Sequence, residues 1–73
     1  MIGKGGDNLA VKIIELMGTS AESWPKAVEE AVDKAGEHLR NIHAVDVVSL
    51  KAKVDNGKIS EYRADVKIAF IIE

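Results

Sequence analysis

ELMGTSAESWPKAVEEAV, residues 15–32, holds the change of period on which the fold turns. Upstream of it, Leu9 to Met17 (LAVKIIELM) is short and rich in branched apolar residues, and Gly18-Thr19-Ser20 follows as turn chemistry. That is the pattern of a strand. Lys12 and Glu15 fall on opposite faces under period-two alternation, so neither face is purely polar. Downstream, Trp24, Ala27, Val28, Ala31, Val32, Ala35, Leu39 and Ile42 recur at i, i+3, i+4, i+7, the stripe of an amphipathic helix. Ser23 is the expected N-cap, because it puts Pro25 in the first turn, where a missing N–H costs nothing. Capping from Ser20 would carry Pro25 to the fifth helical position, where its ring clashes with a carbonyl one turn back.

The C-terminal part reads as one long hairpin. His43 to Asp55 and Lys58 to Glu73 flank Asn56-Gly57, the strongest short-range hairpin signal. In the last strand Tyr62, Ala64, Val66, Ile68, Phe70 and Ile72 share a face, with Glu61, Arg63, Asp65 and Lys67 on the other. In the middle strand Ala44, Val48, Leu50, Ala52 and Val54 share a face under simple alternation. Val45 and Val47 interrupt the polar side, which predicts a bulge or a second buried surface. Residues 1–8, with three of the six glycines, read as a flexible lead-in to a single domain over 9–73. Gly3-Lys4-Gly5-Gly6 lacks the Lys-Ser/Thr ending of a phosphate loop. The expected fold is α+β, in the order β-α-β-β: a three-stranded antiparallel sheet wrapping one helix.

A chain of 73 residues buries only about 60% of the surface it exposes when unfolded, so its core needs reinforcement. No cysteine is present, which removes disulfides and thiolate zinc sites. Association with further copies is the remaining reinforcement, and the open sheet edges invite it. The net charge of −2 with interspersed signs gives no footprint for nucleic acid, and no apolar run is long enough to cross a bilayer. The N-terminus lacks the apolar core of a secretory signal, so the expected location is cytoplasmic.

Chemistry-bearing residues are few. His38 and His43 do not share a helical face, and neither has a Ser–Asp pair at a recognisable spacing, so the reading is a non-enzyme. Trp24 and Tyr62 read as packing residues, Trp24 also as a subunit contact. Lys26, Glu29, Glu30, Asp33, Lys34 and Glu37 read as the solvated face of the helix, with Glu30–Lys34 a favourable pair.

The order and spacing of Glu15 to Trp24, Ala27-Val28-x-x-Ala31-Val32, Leu39-Arg40-Asn41-Ile42, Val45-Asp46-Val47, Asn56-Gly57-Lys58-Ile59 and Tyr62-Arg63 resemble those of the dodecins. That resemblance covers nearly the whole chain after residue 8. It implies β-α-β-β subunits in a hollow homododecamer that binds and stores a small molecule without turnover. In the flavin-binding branch, FMN or riboflavin sits between subunits. A Trp of the second strand stacks on the isoalloxazine, and a Gln after the Tyr of the third strand bonds its polar edge. The matching positions here are Ala44, in a segment with Asp46, and Arg63. Stacking on an aromatic ring is worth about 1–3 kcal/mol, and Arg63 cannot accept a hydrogen bond, so flavin binding is expected to be weakened. The chain looks closer to a second branch, associated with calcium, that lacks the stacking Trp. Oxygen donors for calcium are present in Glu15, Asp46, Glu61 and Asp65, but no loop gathers them. Two further readings are a calcium-stabilised or purely structural assembly without flavin, and a module that binds a partner protein by edge-strand pairing.

Overall fold

The computed structural model describes residues 9–72, so the predicted lead-in over residues 1–8 lies outside them. Four elements follow one another: β1 (Ala10–Ser20), α1 (Trp24–Gly36), β2 (Ile42–Asp55) and β3 (Lys58–Ile72). The strands form one antiparallel sheet in the order β1-β3-β2, so the last strand is central and the other two are edges.

The Gly18-Thr19-Ser20 segment is strand and not turn. Its three residues pair with Ala64, Arg63 and Tyr62 of β3. The chain reverses one step later, where the Ser20 hydroxyl accepts hydrogen bonds from the N–H groups of Glu22 and Ser23. Gly18 has a different purpose: a Cβ built there would lie 1.9 Å from the Ala27 carbonyl oxygen and 2.9 Å from the Ala31 Cβ. The helix backbone therefore rests directly on the strand, and only glycine permits it.

Helix α1 starts as expected. Ser23 is extended, its hydroxyl accepts the Lys26 N–H at 3.2 Å, and Pro25 sits in the first turn. Ala27, Ala31 and Ala35 are buried against Ala64, Val66 and Ile68 of β3, with Ile14, Leu16, Val28, Val32, Leu39 and Ile42 around them. The helix ends at Gly36, earlier than the apolar stripe suggests. Leu39 and Ile42 still pack on the core, because a left-handed residue, Asn41 (φ 60°), turns the chain into β2. The two-residue hairpin loop has positive φ at both Asn56 and Gly57, the backbone that matches the twist of paired strands.

The faces of β2 differ from simple alternation. Register shifts lie between Ile42 and Ala44, Val47 and Ser49, and Lys53 and Val54. Val45, Val47, Leu50 and Ala52 therefore stand opposite Ile68, Val66, Ala64 and Tyr62, on the helix face. Ala44, Asp46, Ser49 and Lys51 stand opposite Ala69, Lys67, Asp65 and Arg63, on the outer face. Val48 is the extra residue at which alternation is reset, and this is the bulge that Val45 and Val47 predict.

The helix covers β1 and β3 and barely reaches β2. On its own side of the sheet, Val47 and Leu50 are left 45% and 52% exposed, with Val45, Val54 and Ile59 similarly open. The outer face of β1 is also uncovered at Val11, Ile13 and Met17. The subunit is a slab of 58 × 21 × 14 Å with a radius of gyration of 15.5 Å, against about 11 Å for a compact chain of this length.

Candidate functional site

The central strand places a ladder of alternating sign, Glu61, Arg63, Asp65 and Lys67, on the outer face, opposite the helix. Antiparallel pairing then builds rows across the sheet. Glu15, Lys67 and Asp46 form one row; Met17, Asp65 and Ser49 the next; Thr19, Arg63 and Lys51 a third. On the far side of the Lys67 row lie Ile13, Ala69 and Ala44. The outer face thus has an aliphatic end and a charged end.

Two ion pairs form within the charged end, at Asp65 and at Arg63. Asp65 Oδ2 accepts from Lys51 Nζ at 2.6 Å and from the Ser49 hydroxyl at 3.1 Å, and a fifth of its side chain remains exposed. The hydrogen bond from Lys51 lowers the Asp65 pKa below the ordinary 3.8, the Ser49 hydrogen bond and the charge of Lys51 add to this, and partial desolvation opposes it. Arg63 Nε donates to Glu61 Oε1 at 2.7 Å. The signs of these residues are readable from β3 alone. That Lys51 and Ser49 complete the Asp65 cluster depends on the register shift between Lys53 and Val54, where β3 carries Ser60 as an extra residue, a shift that periodicity does not locate.

Ala44, Asp46 and Arg63 all stand on this outer face, but one subunit does not bring them together. Ala44 is opposite Ala69, six residues along β3 from Arg63, which is about 20 Å at strand spacing. Any site using both ends takes them from different copies. The same holds for a metal: among the described residues no group of three or more His, Asp or Glu side chains is close enough to hold an ion.

The described aromatic rings lie on the other side of the sheet. Trp24 and Tyr62 meet edge to face with centroids 4.8 Å apart and an interplanar angle of 78°, and the Trp24 indole donates to the Lys51 carbonyl at 2.9 Å. Phe70 shares the helix face with Ile68 and Val66. Trp24 is thereby a packing residue that ties the start of the helix to the edge strand.

Comparison with known proteins places this geometry. The family model for Dodecin matches residues 10–73. A calcium dodecin of Mycobacterium tuberculosis is 37% identical over 60 residues, covering 81% of this chain and 83% of that protein. A dodecin of Thermus thermophilus is 27% identical over 62 residues, covering 85% and 90%. Among solved structures, dodecin from Streptomyces coelicolor superposes with a TM-score of 0.89 at 25% identity, over 92% of this chain and 96% of that one. The calcium-chelating calcium dodecin of M. tuberculosis superposes with a TM-score of 0.78 at 34% identity, over 88% and 91%. The β-α-β-β order, the last strand at the centre of the sheet and the match over residues 10–73 agree, and the chain belongs to the dodecin family.

Proposed function

We propose that this chain is the subunit of a homododecameric, non-catalytic binding and storage protein whose ligand sits between copies. The observation that carries the reading is the division of Ala44 from Arg63 by about 20 Å, and of Asp46 from Arg63 by about 13 Å, on one face. Among the described residues the subunit has no complete site of its own, and it presents the apolar edge of β2 on which copies can associate. Val45, Val47 and Leu50 are exposed on the side of the sheet that the helix leaves open, and burying them recovers the core area that a short chain lacks.

For the ligand, the outer face favours a hard cation over a flat ring. Its described donors are carboxylates, Glu15 and Asp46 beside Lys67 and Asp65 beside Lys51, and calcium is bound by oxygen. The calcium dodecin relative supports this reading. Donors from two or three copies would have to converge, because one copy does not gather them. Bound calcium would crosslink carboxylates of different subunits and stabilise the assembled state.

Two measurements on the full chain test this. Light scattering at micromolar concentration should give a mass near twelve subunits. A monomer or dimer would overturn the assembly and leave edge-strand pairing with a partner protein as the alternative. The melting temperature should rise with added calcium and fall with chelator, as binding to the native state alone requires. An unchanged melting curve removes calcium and leaves a purely structural shell.

A further inference from the structure

A flavin held between copies needs a ring to stack on, and a donor and an acceptor for its polar edge. This chain has one Trp, one Tyr and one Phe, and all three belong to the helix face. The floor of the outer face at the corresponding place is aliphatic: Ala44 beside Ala69, with Ile13 completing the row and 59% exposed. Methyl groups offer neither the polarisable plane nor the area of an indole.

Arg63 could in principle replace part of what is lost. A free guanidinium stacks on flat rings and donates to carbonyl oxygens. Here it is held sideways, along its own strand, by the Glu61 carboxylate two residues away at 2.7 Å. The Glu61 carboxylate neutralises the guanidinium charge and occupies its Nε donor. Glu61 stands opposite Lys53 in the sheet.

We infer that ligand choice on this face is set by three residues, with Ala44 removing the stacking ring and Glu61 acting as a specificity residue that withholds Arg63, so that flavins are refused. This rests on the reading that the ligand site lies between assembled copies.

The test titrates riboflavin into the assembled full-length protein and follows quenching of flavin fluorescence, with the mass measured by light scattering for every variant. The unaltered protein should not quench at tens of micromolar. Ala44→Trp should bind riboflavin at least about tenfold more tightly, the order expected from one stacking contact. Adding Glu61→Ala to Ala44→Trp should tighten binding about threefold more by releasing Arg63, whereas adding Arg63→Met should abolish that second gain. Stoichiometric quenching by the unaltered protein would overturn the inference. So would a Glu61→Ala change that leaves the affinity of Ala44→Trp unmoved. If Ala44→Trp fails to reach the mass of the unaltered protein, Ala44→Phe takes its place. A monomeric mass for the unaltered protein would refute the assembly itself, an outcome separate from any change in quenching.

Discussion

The Trp24 indole nitrogen donates a 2.9 Å hydrogen bond to the main-chain oxygen of Lys51, while the side chain of Lys51 reaches through to the other face and holds Asp65 at 2.6 Å. One residue of an edge strand is therefore gripped from both sides of the sheet. The helix, which covers β1 and β3, reaches β2 chiefly at this point.

Trp24→Phe keeps a ring against Tyr62 and deletes the hydrogen bond. The expected loss is about 1 kcal/mol, the usual net worth of one such bond. Urea unfolding at fixed protein concentration measures it, and a second sign should be faster amide exchange at Lys51 and its neighbours in β2. A loss confined to the helix, with β2 unchanged, would show that the indole does not tie the two together.

Gly18→Ala and Gly36→Ala should act in opposite directions. At position 18 the new methyl collides with the Ala27 carbonyl, so the helix must lift from the strand, at a cost of about 1–3 kcal/mol or more. At position 36 nothing lies within 4 Å of the added atom and the residue closes the helix, so alanine should stabilise by about 0.4–1 kcal/mol through the unfolded chain. Thermal melts of the two variants beside the parent give the signs directly.

The Asp65 carboxyl titrates lower in the folded chain than its ordinary 3.8. A depressed carboxylate binds fewer protons folded than unfolded, so its contribution to stability is present above 3.8 and is lost as pH falls through its folded value. Lys51→Met removes the main cause of the depression. Its destabilisation relative to the parent should be clear at pH 6 and should shrink below pH 3. A difference that stays constant across that range would assign the effect to packing of the lysine stem.

Val47→Glu places a charge on the exposed apolar side of β2, away from Asp65 and Arg63. In an assembly that buries this stripe, the mass by light scattering should fall to that of a smaller species, because an unpaired buried charge is costly. Lys53→Gln, on the outer face near the hairpin, makes the same one-unit change in net charge and should keep the parent mass.

The helix start and the hairpin were legible because each is fixed by a local rule. Ser23 and Pro25 admit one cap, and Asn56-Gly57 admits one tight turn, so the order β-α-β-β follows from residues close in the chain. Gly18-Thr19-Ser20 was misleading for the opposite reason. Those residues have turn character, and what keeps them in a strand is pairing with residues 62–64 and the approach of Ala27, contacts made more than forty residues away or across the helix. The faces of β2 were hidden by an inserted residue that alternation cannot place. Arg63 was visible as a departure from the pattern of related sequences, but its engagement by Glu61 is a matter of side-chain geometry.

Val48 has a consequence out of proportion to its size. Because strand residues obey an even–odd rule, the single inserted position decides the parity of everything from Ala44 to Val47. With it, three valine and leucine side chains align along one flank of β2, while Ala44, Asp46, Ser49 and Lys51 align along the other. Were Val48 paired in regular alternation instead, Val45 and Val47 would join the charged rows, and Ala44 and Asp46 would turn toward the helix. The separation of an apolar flank from a charged flank thus depends on leaving one residue out of the pairing, and deleting Val48 would close the bulge with both flanks unchanged.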